Sequence, residues 1–247
     1  DRFVMIIDEW DAILREMGSD EYVTTSYVDL LRRLFKGSGS NTVFAGVYLT
    51  GILPIKKYNT ESALNNFREY TMIRPGKMAK VLGFTHEEVE MLCRKHEMDM
   101  NEMESWYDGY RIGKASRIFN PYSVMRTIDE EEFGSYWTTT GAYDSVITYI
   151  QMNYEGLKDD IIRMLSGEHV YVDTTEFSND MRVVRSKNDV LTVLIHLGYL
   201  AYDGDAQACY IPNKEVADEM NNAIKATMWV PLVKTIQNSK ALLEATV

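Results

Sequence analysis

Over the first 55 residues the chain switches between two hydrophobic patterns. Phe3-Val4-Met5-Ile6-Ile7 is an unbroken apolar run ending on Asp8-Glu9-Trp10-Asp11, which predicts a buried strand delivering carboxylates at its carboxyl end. Trp10 to Met17 reads as a short helix stopped by Gly18. A second helix is predicted from about Asp20 to Phe35, where Val23, Tyr27, Leu30, Leu31, Leu34 and Phe35 recur at helical spacing. After the polar connection Lys36-Gly37-Ser38-Gly39-Ser40, Thr42 to Thr50 reads as a second buried strand running into Gly51-Ile52-Leu53-Pro54. Strand, helix, helix, strand predicts a parallel crossover. Ligands of such sheets collect at the carboxyl ends of the strands, where Asp8, Glu9 and Thr50 fall.

Beyond Leu53 the pattern becomes helices joined by polar turns. Thr85-His86-Glu87-Glu88 is a capping box for a helix to about Lys95, and Met100 to Tyr107 is a short helix. Asp108-Gly109 marks a turn before Arg117-Ile118-Phe119, and Asn120-Pro121 opens a helix to about Thr127. Further helices are predicted at Asp144 to Asn153 and Leu157 to Leu165, and His169 to Thr174 alternates like a strand. Ser186 caps a helix through about Leu197, and Tyr199 to Tyr202 pairs with Ala208 to Ile211 across a loop holding Asp203-Gly204-Asp205. Asn213 then caps a helix from Lys214 to about Trp229, and Pro231 begins a last helical stretch. Helix, hairpin, helix is a winged-helix-like outline, and the acids at its tip favour a packing or protein-contact role over DNA.

The acid pair carries the sharpest chemistry. At the end of a buried strand, Asp8 followed by Glu9 has the form of a Walker B element, in which one acid holds Mg²⁺ and the next polarises the attacking water. The competing reading is a core strand followed by a helix with first-turn acids. A Walker B strand works beside a phosphate-cradling loop, and the stretch Lys36 to Ser40 lacks the required spacing and the terminal Gly-Lys-Ser/Thr. The first residue is Asp1, which reads as an internal start within a longer protein.

At 247 residues, 45% of them apolar, the chain can bury a sizeable core, while its net charge of −11 disfavours direct nucleic-acid binding. Its apolar runs all fall short of the roughly 18 residues of a membrane span, so the reading is a cytoplasmic piece with no membrane contact. The two cysteines, Cys93 and Cys209, read as buried thiols.

Several strings converge on one family. Ile6 to Asp11, Tyr48-Leu49-Thr50-Gly51-Ile52-Leu53-Pro54-Ile55-Lys56-Lys57-Tyr58, Trp106 to Tyr110, Asn120 to Val124, Tyr136-Trp137-Thr138-Thr139-Thr140, His196 to Leu200 and Tyr210 to Asn213 follow one another in the family's order. The chain thereby resembles the AAA-ATPase-like proteins of anaerobic gut bacteria, whose full-length members join a P-loop ATPase region to a C-terminal PD-(D/E)XK nuclease-like domain. The resemblance implies an α/β, helix-rich fold: residues 1–84 as the distal part of a P-loop NTPase-type parallel sheet, 85–180 as a helical lid region, and 181–247 as a winged-helix-like unit with C-terminal helices. It implies Asp8 as the metal-coordinating acid, Glu9 as the water-activating acid and Thr50 as the polar sensor of the γ-phosphate. Mg²⁺ and ATP would be cofactors of the full-length protein, with none expected on this fragment. Its partners in cis would be the P-loop segment before Asp1 and a nuclease-like domain after Val247; a homo-oligomer is a further expectation, because a truncated sheet has bare edges.

The remaining candidates each have a bland reading. Asp11 reads as a first-turn helix acid ahead of a third metal ligand, and Arg68 and Arg74 as solvated surface arginines ahead of phosphate contacts. Asp108-Gly109 reads as a turn packed by Trp106, Tyr107 and Tyr110, His196 as a core histidine, and the run Met98 to Met103 as adaptable packing. Two functions stand: a fragment of an AAA-type ATPase coupled to an effector, inactive alone without its phosphate loop, and, as alternative, a non-catalytic protein-interaction module.

Overall fold

The structure, a computed structural model, describes residues 1–17, 20–37, 39–52, 64, 66–137, 149–152, 154–175, 177 and 184–226. Among the described residues it is mixed α/β, with nine helices and three small sheets, one of them a parallel pair. The chain divides into two compact units, Asp1–Thr71 with Glu176–Arg185, and Met72–Thr175 with Ser186–Val247.

The first unit contains β1 (Phe3–Ile7), α1 (Ala12–Glu16), α2 (Glu21–Lys36), α3 (Ser40–Val43) and β2 (Phe44–Leu49). β1 and β2 run parallel, with Val4 opposite Gly46 and Ile7 opposite Leu49, so the crossover expected from the hydrophobic pattern is present. α2 starts where its cap dictates: the Asp20 carboxylate accepts the Val23 N–H at 3.1 Å. The second strand is shorter at its start than its sequence implies. Gly39 O accepts both the Thr42 N–H at 3.0 Å and the Thr42 hydroxyl at 2.6 Å, which closes a helical turn where a strand was expected.

Side-chain alternation gives the parallel pair two unlike faces. Met5, Ile7, Val47 and Leu49 pack against a core of Trp10, Leu14, Val28, Leu31 and Phe35. Val4, Ile6 and Tyr48 are exposed, although parallel sheets usually have both faces covered.

The second unit opens with a 3-10 turn at Gly76–Met78. It contains β3 (Phe84–Thr85), α4 (His86–His96), α5 (Met100–Tyr107), β4 (Tyr110–Ile112), β5 (Ala115–Phe119), α6 (Pro121–Glu130), α7 (Leu157–Leu165), β6 (Val170–Tyr171), α8 (Lys187–His196), β7 (Ala201–Asp203), β8 (Ala208–Tyr210) and α9 (Lys214–Ala226). Both capping boxes are formed, Thr85 with Glu88 and Ser186 with Asp189. α6 runs three residues past its expected end and stops on Glu131 in the left-handed region, at φ 55°.

The sheets of this unit are antiparallel, in the orders β3-β5-β4 and β6-β8-β7. The expected hairpin is present, with β6 added along β8 and helices α8 and α9 before and after it. Its acidic tip is used internally: Asp203 accepts the backbone N–H of Asp205 and Ala206, at 2.9 and 3.2 Å, and Arg111 from β4 pairs with both Asp203 and Asp205. The expected helix over 144–153 lies largely outside the described residues, as do the one from Pro231 and the strings Leu53 to Tyr58 and Thr138 to Thr140. No described helix is long and apolar enough to cross a membrane.

Candidate functional site

Because β1 and β2 are adjacent and parallel, residues 42 positions apart meet at their carboxyl ends. The Thr50 N–H donates to Ile7 O at 2.9 Å, and Thr50 O accepts the Trp10 N–H at 2.9 Å, which zips the two strand exits together. There the Thr50 hydroxyl donates to Asp8 Oδ1, and the same oxygen accepts the Glu9 N–H at 3.0 Å. Asp8 and Glu9 are exposed and Thr50 is half-buried. Glu9 has φ 49°, the left-handed backbone that a non-glycine residue adopts only when its surroundings fix it, and it turns the chain sharply from strand into α1.

Asp11, one residue before α1, does more than act as a first-turn acid. It is completely buried, its Oδ2 accepts Arg15 Nε–H at 3.1 Å, and its Oδ1 accepts the Ile52 N–H at 3.3 Å. No side-chain cap bond to the helix is formed. Arg15 reaches on to Glu9, with Nη2 2.9 Å from Oε2. Beneath them Tyr27 donates its hydroxyl to Trp10 O at 2.7 Å, and burial, followed by the Asp11 charge, raises the phenol's pKa. Gly51 has no room for a side chain: a Cβ there would meet the Asp11 carboxylate and come within 2.6 Å of Trp10 Cδ1.

The three residues singled out from sequence, Asp8, Glu9 and Thr50, therefore occupy one strand-end cluster. Arg15 and the Ile52 amide belong to the same cluster and were missed. The readable signal was the Asp11–Arg15 spacing of four, which puts opposite charges on one helix face. The donor set, a carboxylate with a hydroxyl beside it, is hard oxygen and suits Mg²⁺, which keeps several waters and takes only one or two protein carboxylates besides substrate phosphates. Among the described residues no group of three or more His, Cys, Asp or Glu is arranged to hold a metal by itself.

Arg68, in the first unit, and Arg74, in the second, are exposed. Asp108 accepts the Gly109 N–H at 2.6 Å and Arg117 Nε–H at 2.8 Å; Arg117 also pairs with Glu104, which bonds His86 at 2.9 Å. The His86 bond, then Arg117, holds the Glu104 carboxyl below its ordinary range. Burial lowers His196 to about 4, which leaves it a neutral histidine at physiological pH.

No family model, curated protein or solved structure matches this chain.

Proposed function

We propose that the β1–β2 strand ends are one half of a Mg²⁺-ATP-hydrolysing site of AAA type. Asp8 is the acid that would hold the metal, Glu9 the acid that polarises the attacking water, and Thr50 the group that senses the γ-phosphate. The observation that carries the reading is the Thr50 hydroxyl donating to Asp8 across the exits of two parallel strands, because such exits are where sheets of this type bind ligands. Bound Mg²⁺ would neutralise charge developing on the phosphates. Glu9 stands exposed beside Asp8, where water can reach its carboxylate although Arg15 holds one of its oxygens, and Thr50 orients the Asp8 carboxylate from the neighbouring strand. In the same proposal a phosphate-cradling loop and a nuclease-like effector are supplied elsewhere in a longer protein, the lid and winged-helix-like unit follow the core, and the compartment is the cytoplasm.

The test is ATP hydrolysis by the full-length protein. Glu9→Gln is expected to lower kcat by about 10²-fold or more, the usual worth of a positioned general base. Unchanged turnover would remove Glu9 from the chemistry and end this reading. A second reading, a non-catalytic interaction module, is favoured by the bare apolar face of Val4, Ile6 and Tyr48. It gains if the full-length protein neither binds nor hydrolyses Mg²⁺-ATP.

A further inference from the structure

Glu9 projects from a left-handed backbone with 68% of its side chain exposed, so its own strand gives the carboxylate little support. Support comes from Arg15, whose guanidinium spans two acids, Nη2 to Glu9 at 2.9 Å and Nε to Asp11 at 3.1 Å. The far end of this bridge is firm. The Asp11 side chain is fully buried and also accepts the Ile52 N–H, while Gly51 packs so closely on Asp11 and Trp10 that a single methyl group would not fit. Residues 50–52 consequently reach both acids of the pair, Thr50 touching Asp8 directly and Ile52 reaching Glu9 through Asp11 and Arg15.

We infer that Arg15 is the positioning residue for Glu9, and that the path Ile52, Asp11, Arg15, Glu9 ties the water-polarising carboxylate to the segment leaving β2. The inference rests on the hydrolytic reading above for its consequence in catalysis, and on geometry alone for the path itself. Arginine is required by its shape. A planar fork holds two carboxylates at once, whereas lysine keeps the charge that buried Asp11 needs but is a single point donor. A displacement of residues 50–52 would therefore be passed to both acids together, which couples the metal-holding and water-polarising groups to one loop.

Arg15→Lys separates positioning from folding. In the 247-residue chain, ¹³C relaxation at Glu9 Cγ is expected to report an ordered side chain that becomes mobile in Arg15→Lys and again in Asp11→Asn, with the melting temperature of Arg15→Lys close to the parent's. In the full-length protein Arg15→Lys is expected to lower kcat about tenfold, the scale of a small misplacement of a catalytic group, with KM for Mg²⁺-ATP within twofold. On a Glu9→Gln background the same substitution should cost nothing more. Undiminished Glu9 order in both variants overturns the inference, as does an equal loss of kcat with and without the Glu9 carboxylate. If Glu9→Gln itself leaves turnover intact, the hydrolytic reading fails while the relaxation experiment still decides whether Arg15 positions Glu9.

Discussion

Glu215 shows how much one side chain can organise in the second unit. Only 1% exposed, it accepts the Tyr136 and Trp137 N–H groups through Oε1, at 2.7 and 2.8 Å, and the Ser123 hydroxyl through Oε2 at 2.8 Å. Burial is the largest influence on it and raises its pKa above the ordinary 4.5, outweighing the three hydrogen bonds that pull the other way. An acid whose folded pKa is raised favours the folded state below its unfolded pKa and loses that contribution as pH rises through the folded value. Glu215→Gln keeps an oxygen for both amides and gives Ser123 a donor, so it removes the charge and spares the network. Urea midpoints measured from pH 4 upward should show the variant gaining on the parent as pH rises, with no such trend expected if the carboxylate were readily ionised where it lies. Glu215→Ala instead leaves two backbone donors unpaired and is expected to cost about 2–4 kcal/mol at pH 4.

At the scale of elements, the turn between α5 and β4 depends on a glycine. Gly109 has φ 108°, and a Cβ there would run into Pro212 O and lie 2.8 Å from Pro212 C, while Tyr210 donates its hydroxyl to Gly109 O at 3.0 Å. The segments Trp106 to Tyr110 and Tyr210 to Asn213, two of the strings noticed in the sequence, thus pack backbone against backbone. Gly109→Ala is expected to cost about 2–4 kcal/mol, from strain and displacement of the Pro212 segment together. Gly167→Ala is the control: its φ is 88°, but a Cβ meets nothing within 4 Å, so strain alone should cost about 1 kcal/mol. Equal losses in denaturant midpoint would contradict the close approach.

Elements with local signals were legible and those without were not. The helices opened by Thr85, Asn120-Pro121 and Ser186 follow from caps a few residues long, α2 from its apolar stripe, and the β1–β2 crossover from two apolar runs with helices between them. Strands β3 and β4 were missed, since two and three residues are too few for an alternating pattern. Their pairings, Phe84 with Phe119 and Tyr110 with Ile118, exist only in the folded chain. The same division runs through the candidate site. Asp8 and Thr50 could be placed together because parallel neighbours end side by side, whereas the Asp11 bond to the Ile52 amide spans 41 residues and leaves no local trace.

At the scale of the whole chain, the two units carry separate cores, and both cysteines report on the second. Cys93 sits among Val89, Met103, Tyr107, Phe119 and Val124, and Cys209 Sγ lies 3.7 Å from Met164 Sδ; both thiols are buried. Burial raises the pKa of each, and that of Cys209 reaches about 12, with the Asp160 charge adding to it. At pH 8 a thiol of that pKa is ionised in about one molecule in ten thousand, against roughly a quarter for a free cysteine, so its thiolate population is already lower by roughly three orders of magnitude before access is considered. Ellman's reagent at pH 8 is therefore expected to find almost no thiol in the native protein and two per chain in denaturant. The urea dependence of labelling should follow the unfolding of the second unit, because the helices and strands that cover both sulfurs belong to that unit. Native labelling at the rate of a free thiol would place sulfur at the surface and contradict the packing of Cys93 under α5 and α6 and of Cys209 beside α7.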